Sequence, residues 1–155
     1  MSQYRVADYR PEHATAWRSL NEGWILQCGF ALEPKDHKVL GDAQGQVLDA
    51  GGHIFIIEDG AGDYVGCCAL MKMDDGGFEL AKMAVRPDAR GKGLSKLLMQ
   101  ACVERAKALK GTRLYLETNS GLAPALRLYE QFGFVYLPQR DTPYARADVF
   151  MELRL

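Results

Sequence analysis

The chain has 155 residues, 48% of them hydrophobic and 25% charged, with 19 basic against 20 acidic side chains and a formal net charge of −1. That is enough apolar material for one sizeable core, and it excludes a disordered chain. No run approaches the roughly 18 apolar residues of a membrane span, and the near-balanced charge argues against a nucleic-acid surface, because the basic residues from Arg86 to Lys96 are local.

A single domain over residues 1–155 is expected, since no repeat, linker or low-complexity tract interrupts the sequence. The opening MSQYRVADYR is charged from the start and lacks an apolar signal core, so a cytoplasmic location is the expectation. Cys28, Cys67, Cys68 and Cys102 show no CxxC spacing. They read as reduced packing residues with no metal site, Cys67 and Cys68 pointing to opposite faces of a strand.

Gln3 to Arg10 alternates as an opening strand. Pro11 starts a helical segment through Leu20, and Asn21 to Phe30 reads as a second helical piece that buries Trp24, Ile25 and Cys28. Glu33 to Leu48 suggests short helices. The period then changes. His53–Glu58, Tyr64–Lys72 and Phe78–Val85 are strands joined by the glycine-bearing turns at 59–63 and 74–77, which implies an antiparallel meander.

Leu94 to Lys110 is helical, with Leu94, Leu97, Leu98, Ala101, Cys102 and Leu109 as its apolar side, interrupted by Arg105 and ended by Gly111. Arg113–Thr118 is a strand, Pro124 opens a second helix that Gly133 closes, and Phe134–Leu137 and Ala147–Leu153 are the last strands. The Phe78–Val85 and Arg113–Thr118 strands flank a helical crossover and should run parallel. The class is therefore α+β, with a mixed, mostly antiparallel central sheet flanked by helices.

Chemistry concentrates at Val85–Leu98, VRPDARGKGLSKLL. Two glycines let the backbone curl with N–H groups inward, the following helix adds its unsatisfied N–H groups and dipole, and Arg90 and Lys92 add charge. A phosphate or pyrophosphate suits that turn, although glycine-rich basic turns also occur as plain connections. A P-loop fails, because Arg86 stands where its first glycine belongs and Gly93 where Ser or Thr belongs; GxGxxG fails at Lys96.

The turn resembles the acyl-CoA loop of the GCN5-related N-acetyltransferases (GNAT), Gln/Arg-x-x-Gly-x-Gly/Ala after a strand ending Val-x-Pro. Arg90-Gly91-Lys92-Gly93-Leu94-Ser95 follows Val85-Arg86-Pro87, with Ser95 at the last small position. Ala125 to Phe134 is similar to the family's A-x-x-L-Y-E-x-x-G-F segment, and the order of elements matches the GNAT fold over the whole chain.

The resemblance implies an acetyl-CoA-dependent N-acetyltransferase acting on a small amine or amino-acid-like acceptor by direct attack in a ternary complex. A protein amine, or a CoA-binding module without catalysis, is the alternative. It implies that N–H groups from Gly91 to Ser95 hold the pyrophosphate, and that main-chain groups at Met83, Ala84 and Val85 pair with the pantetheine arm, Met83 N–H also facing the oxyanion. Tyr129 would protonate the departing thiolate, against a plain core tyrosine at helical spacing. Asn119 is either a CoA contact or a turn residue.

Glu79 is the candidate base, against a solvated charge or a partner for Lys82, with His53 and Glu117 as alternatives. The acceptor end is expected between Trp24–Glu33 and Arg140–Arg146, where an arginine fork suits a carboxylate and the bland reading is an exposed polar loop. A homodimer is an expectation by analogy with the fold.

Overall fold

The computed structural model describes residues 3–155. Its sheet has the order β1-β2-β3-β4-β5-β7-β6. The strands are β1 (Arg5–Asp8), β2 (His53–Glu58), β3 (Tyr64–Lys72), β4 (Phe78–Val85), β5 (Arg113–Thr118), β6 (Val135–Leu137) and β7 (Val149–Arg154). All pairs are antiparallel except β4 with β5, the parallel pair expected across the helical crossover.

Helices cover both faces of this sheet, so strands such as HIFIIE are apolar throughout instead of alternating with polar residues. One face packs Phe55, Ile57, Cys68 and Leu70 against α3 (Leu94–Ala108) and α4 (Ala123–Gln131). The other packs Ile54, Ile56, Cys67 and Ala69 against Trp17 of α1 (Ala14–Gln27) and Val39 and Leu40 of α2 (Pro34–Gly41). Cys67 and Cys68 thus face opposite sides, as their adjacency in a strand requires.

Two local expectations change, and a third is explained. The two early helical pieces are one helix, α1, because buried Asn21 gives its Nδ2 to the Trp17 carbonyl at 2.9 Å and leaves the helical ladder intact. The left-handed residue after α3 is Lys110 at φ 59°, not Gly111. Gly111 caps the Ala106 carbonyl at 2.8 Å, and a Cβ there would lie 3.1 Å from both that carbonyl and the Phe78 ring. Arg105 interrupts the apolar stripe of α3 because its guanidinium lies 5.0 Å over the Phe55 ring and donates to Asp8 at 2.9 Å.

The feature that shapes the site is a bulge in β4. Cys67 pairs with Ala84 and Ala69 with Ala81, so Lys82 and Met83 together oppose Cys68. Lys82 takes φ 57°, a conformation that costs a side-chain-bearing residue about 1 kcal/mol. The bulge switches the faces: Phe78 and Leu80 pack toward α3, whereas Ala84 packs toward α1. The thiols of Cys67 and Cys68 donate to the carbonyls of Lys82 and Ala81, each at 3.6 Å, satisfying backbone that the ladder has lost.

Candidate active site

β4 and β5 are paired only at Phe78 with Leu114 and Glu79 with Tyr115. Beyond that point the strands part and open a cleft of about 700 Å³, within the usual range for small-molecule sites. The β4 main chain from Ala81 to Val85 borders it, with no β5 partner among the described residues. The Val85 carbonyl accepts from Arg90 Nε at 3.3 Å.

At one end lies the glycine turn. Gly91 and Gly93 adopt φ 76° and 77°, and a Cβ at either would meet nothing within 4 Å. Glycine is therefore required by the backbone conformation, not by crowding. Gly93 caps α3 without a side-chain bond. Among the described residues the N–H groups of Gly91 to Lys96 donate to no group, while Leu97 N–H already reaches the Gly93 carbonyl at 3.1 Å. A row of free N–H groups at a helix N-terminus is an arrangement that suits an anion. Arg90, Gly91, Gly93, Leu94 and Ser95 line the cleft; the Lys92 side chain does not, and Lys96 and Arg127 do.

Tyr129, on α4, is 9% exposed and its hydroxyl has no hydrogen-bond partner among the described residues, yet it lines the cleft. Burial, with the Cys68 thiol nearby, pushes its pKa far up, so it stays a protonated donor. Glu79 lines the same cleft without a hydrogen-bonding or ion-pair partner among the described residues. Burial, reinforced by the charge of Glu117 and opposed by Lys35 and Lys82, pushes its carboxyl up to about 7.

Lys82 is not the partner of Glu79. It pairs with Asp36 of α2, a fully buried carboxylate that also takes both arms of the Arg146 guanidinium at 2.7 Å each. Burial opposes ionisation of Asp36, but the bonds from Arg146 and Lys82 prevail and hold it well below the usual range. Burial lowers the Lys82 pKa against the pull of Asp36. Arg146 reaches Glu33 at 3.2 Å and lies 4.5 Å over Tyr144 and 5.9 Å over Trp24. The loop carrying Arg140–Arg146 is thereby fastened to α2, not left as a free polar loop, and its arginine fork is occupied.

Other expected residues lie elsewhere or are engaged. His53 does not line the cleft; it sits by Arg105 at 3.3 Å and by Phe78, where burial lowers its pKa. Asn119 lines the cleft, but its Nδ2 donates to the Arg146 carbonyl at 2.7 Å and its Oδ1 accepts from Gly121 N–H at 2.8 Å. Glu117 lines the cleft and accepts from Tyr115 at 2.8 Å and from Thr142. The Asp36 cluster escapes sequence reading, although Glu33-Pro34-Lys35-Asp36 carries a helix-start signature: Glu33 N–H donates to Asp36 at 2.8 Å.

A mixed sheet opened at its parallel junction, with a glycine turn and its free N–H groups at one side of the opening, defines the fold class of the acyl-CoA N-acyltransferases. A model of the acetyltransferase (GNAT) family matches residues 13–134. The chain belongs to that family.

YjgM of Escherichia coli, described as an uncharacterized N-acetyltransferase, is 36% identical over 95 residues, which is 59% of this chain and 57% of that protein. The chain spans little more than half the length of the first such curated relatives. A GNAT-family acetyltransferase of Staphylococcus aureus superposes with a TM-score of 0.88 at 18% identity, covering 97% of this chain and 98% of that one. The yncA protein of Salmonella typhimurium, whose structure holds its cofactor acetyl-CoA, superposes with a TM-score of 0.80 at 17% identity, covering 99% and 94%. Among the described residues no helix is long and apolar enough to cross a membrane.

Proposed function

We propose that the chain is an acetyl-CoA-dependent N-acetyltransferase that acetylates a primary amine of a small acceptor by direct attack in a ternary complex. The observation that carries this reading is the parting of β4 and β5, which puts on one cleft a phenol, a carboxyl and a row of N–H groups that have no partner among the described residues.

The fit to acetyl-CoA rests on the glycine turn: N–H groups of Gly91 to Ser95 suit its pyrophosphate, with the side chains of Arg90 and Lys96 adding charge. The β4 main chain at Met83, Ala84 and Val85 suits the amide-bearing pantetheine arm as an added strand. When bound, acetyl-CoA supplies an acetyl thioester whose carbon–sulfur bond breaks as the new amide bond forms. Glu79 takes the proton that the amine nitrogen loses, and Tyr129 gives its proton to the departing sulfur. Met83 N–H faces the carbonyl oxygen as charge develops there.

Tyr129→Phe keeps the ring in the core and removes only the donor. It is expected to lower kcat about 100-fold while acetyl-CoA binding, followed by calorimetry, stays unchanged. Full turnover in this variant overturns the acid role. Acetyl-CoA binding without turnover on a broad amine panel supports a non-catalytic binding module instead, and absence of acetyl-CoA binding overturns the whole reading.

A further inference from the structure

Two cations, Lys82 and Arg146, line the acceptor end of the cleft. Both are already engaged. Lys82 is paired with Asp36, and Arg146 is held by Asp36 through both arms and by Glu33. Arg140, the other arginine of that loop, donates to the Pro138 carbonyl at 3.2 Å and lies over the rings of Tyr115 and Phe150. No free guanidinium or ammonium remains there among the described residues that line the cleft to receive an acceptor carboxylate.

The carboxylates are in the opposite position. Glu79 has no partner among the described residues, and Glu117 is bonded only by the neutral hydroxyls of Tyr115 and Thr142. Each oxygen of Glu117 accepts one bond and retains a lone pair. The two carboxyls stand two residues apart in register on neighbouring strands, since Glu79 pairs with Tyr115. Lys35, whose charge also acts on Glu79, is exposed and does not line the cleft.

We propose, resting on the acetyltransferase reading above, that the acceptor is a primary amine that enters as its ammonium ion and carries no carboxylate, and that Glu117 is the specificity-determining group that receives this ammonium beside Glu79. The ammonium adds a countercharge within the cleft and gives one proton to Glu79 before attack; the second proton, lost as the amide forms, restores the one that Tyr129 gives to the departing sulfur. In an α-amino acid the carboxylate is two bonds from the nitrogen. It would be forced against Glu79 and Glu117 with no free cation among the residues that line this end of the cleft, the Lys35 charge acting only from outside it, which is discrimination by repulsion. Trp24 and Phe30, whose rings meet edge-on at 6.4 Å and both line the cleft, supply an apolar wall for the body of the amine.

The test uses pairs differing by the carboxylate alone: phenethylamine with phenylalanine, and isoamylamine with leucine. Each is titrated into the full chain saturated with CoA, and each is assayed for turnover with acetyl-CoA. The amines are expected to bind at least about tenfold tighter than their amino acids. Glu117→Gln is expected to raise the amine KM about tenfold or more with little change in kcat or in acetyl-CoA KM. Equal or tighter binding of the amino acids overturns the proposal, as does absence of amine binding to the CoA complex or an unchanged amine KM in Glu117→Gln. The wild-type comparison stands even if that variant fails to fold. Failure of acetyl-CoA itself to bind is a different result, because it overturns the enzyme reading as well.

Discussion

The pH dependence of kcat/KM offers the sharpest check on Glu79. Its carboxyl stands at about 7 against an ordinary 4.5, because burial disfavours the charged form and Glu117 repels it, with Lys35 and Lys82 pulling the other way. A base must be ionised to work, so activity rises as pH climbs through 7. Between pH 6 and pH 8 the ionised fraction grows about tenfold. An alkyl amine with a pKa of about 10.4 remains an ammonium ion across that window. If the site takes the ammonium, kcat/KM rises about tenfold and then stays level to about pH 10. If only neutral amine from solution is used, its own fraction adds about another hundredfold over the same window, for about a thousandfold in all, and the climb continues. Initial rates at subsaturating amine and saturating acetyl-CoA distinguish the two. Glu79→Gln should abolish the limb near 7 and lower kcat about 100-fold. A limb that survives in Glu79→Gln, or a wild-type midpoint near 4.5, refutes the assignment of the base.

The Asp36 cluster predicts a stability effect. Asp36→Ala leaves the side chains of Lys82 and Arg146, 4% and 13% exposed, without their shared countercharge, and should cost about 3–5 kcal/mol, read as a loss of roughly 10 °C in Tm; a change below about 1 kcal/mol refutes the role given to that carboxylate. Gly93→Ala meets no neighbour within 4 Å but must hold φ 77°, so it should cost about 1 kcal/mol by thermal denaturation and weaken acetyl-CoA binding several-fold in calorimetry. Unchanged binding would show that the turn does not hold the pyrophosphate.

Much of the lining of the cleft was legible because its signals are local. Arg90 to Ser95 announces itself through glycine spacing, basic charge and the start of an apolar helix, all within a few residues of one another. The same holds for Tyr129 within its helix and for Glu79 on the strand entering the loop. The parallel relation of β4 and β5 followed from the crossover between them. The split of the early helix at Asn21 did not hold, since burial let that side chain serve the helix rather than break it. His53 was an alternative for the base, but strand alternation carries it to the α3 face beside Arg105.

The chain's order of strands and helices, the conformation of its glycine turn and the free N–H groups at the start of α3 are set by residues adjacent in sequence, because backbone preferences act over only a few bonds. The partners of Lys82 and Arg146 are not of that kind. They meet on Asp36 from 46 and 110 residues away, and nothing near either residue names the other. The bulge that turns Lys82 toward Asp36, the point at which β5 leaves β4, and the burial that lifts Glu79 to about 7 all depend on what the folded chain packs around them. Desolvation and charge pairing are properties of a three-dimensional neighbourhood, and that is why the place of Glu79 on the strand entering the loop was readable from sequence while its tuning, and the charges that surround it in the cleft, were decided by the tertiary structure.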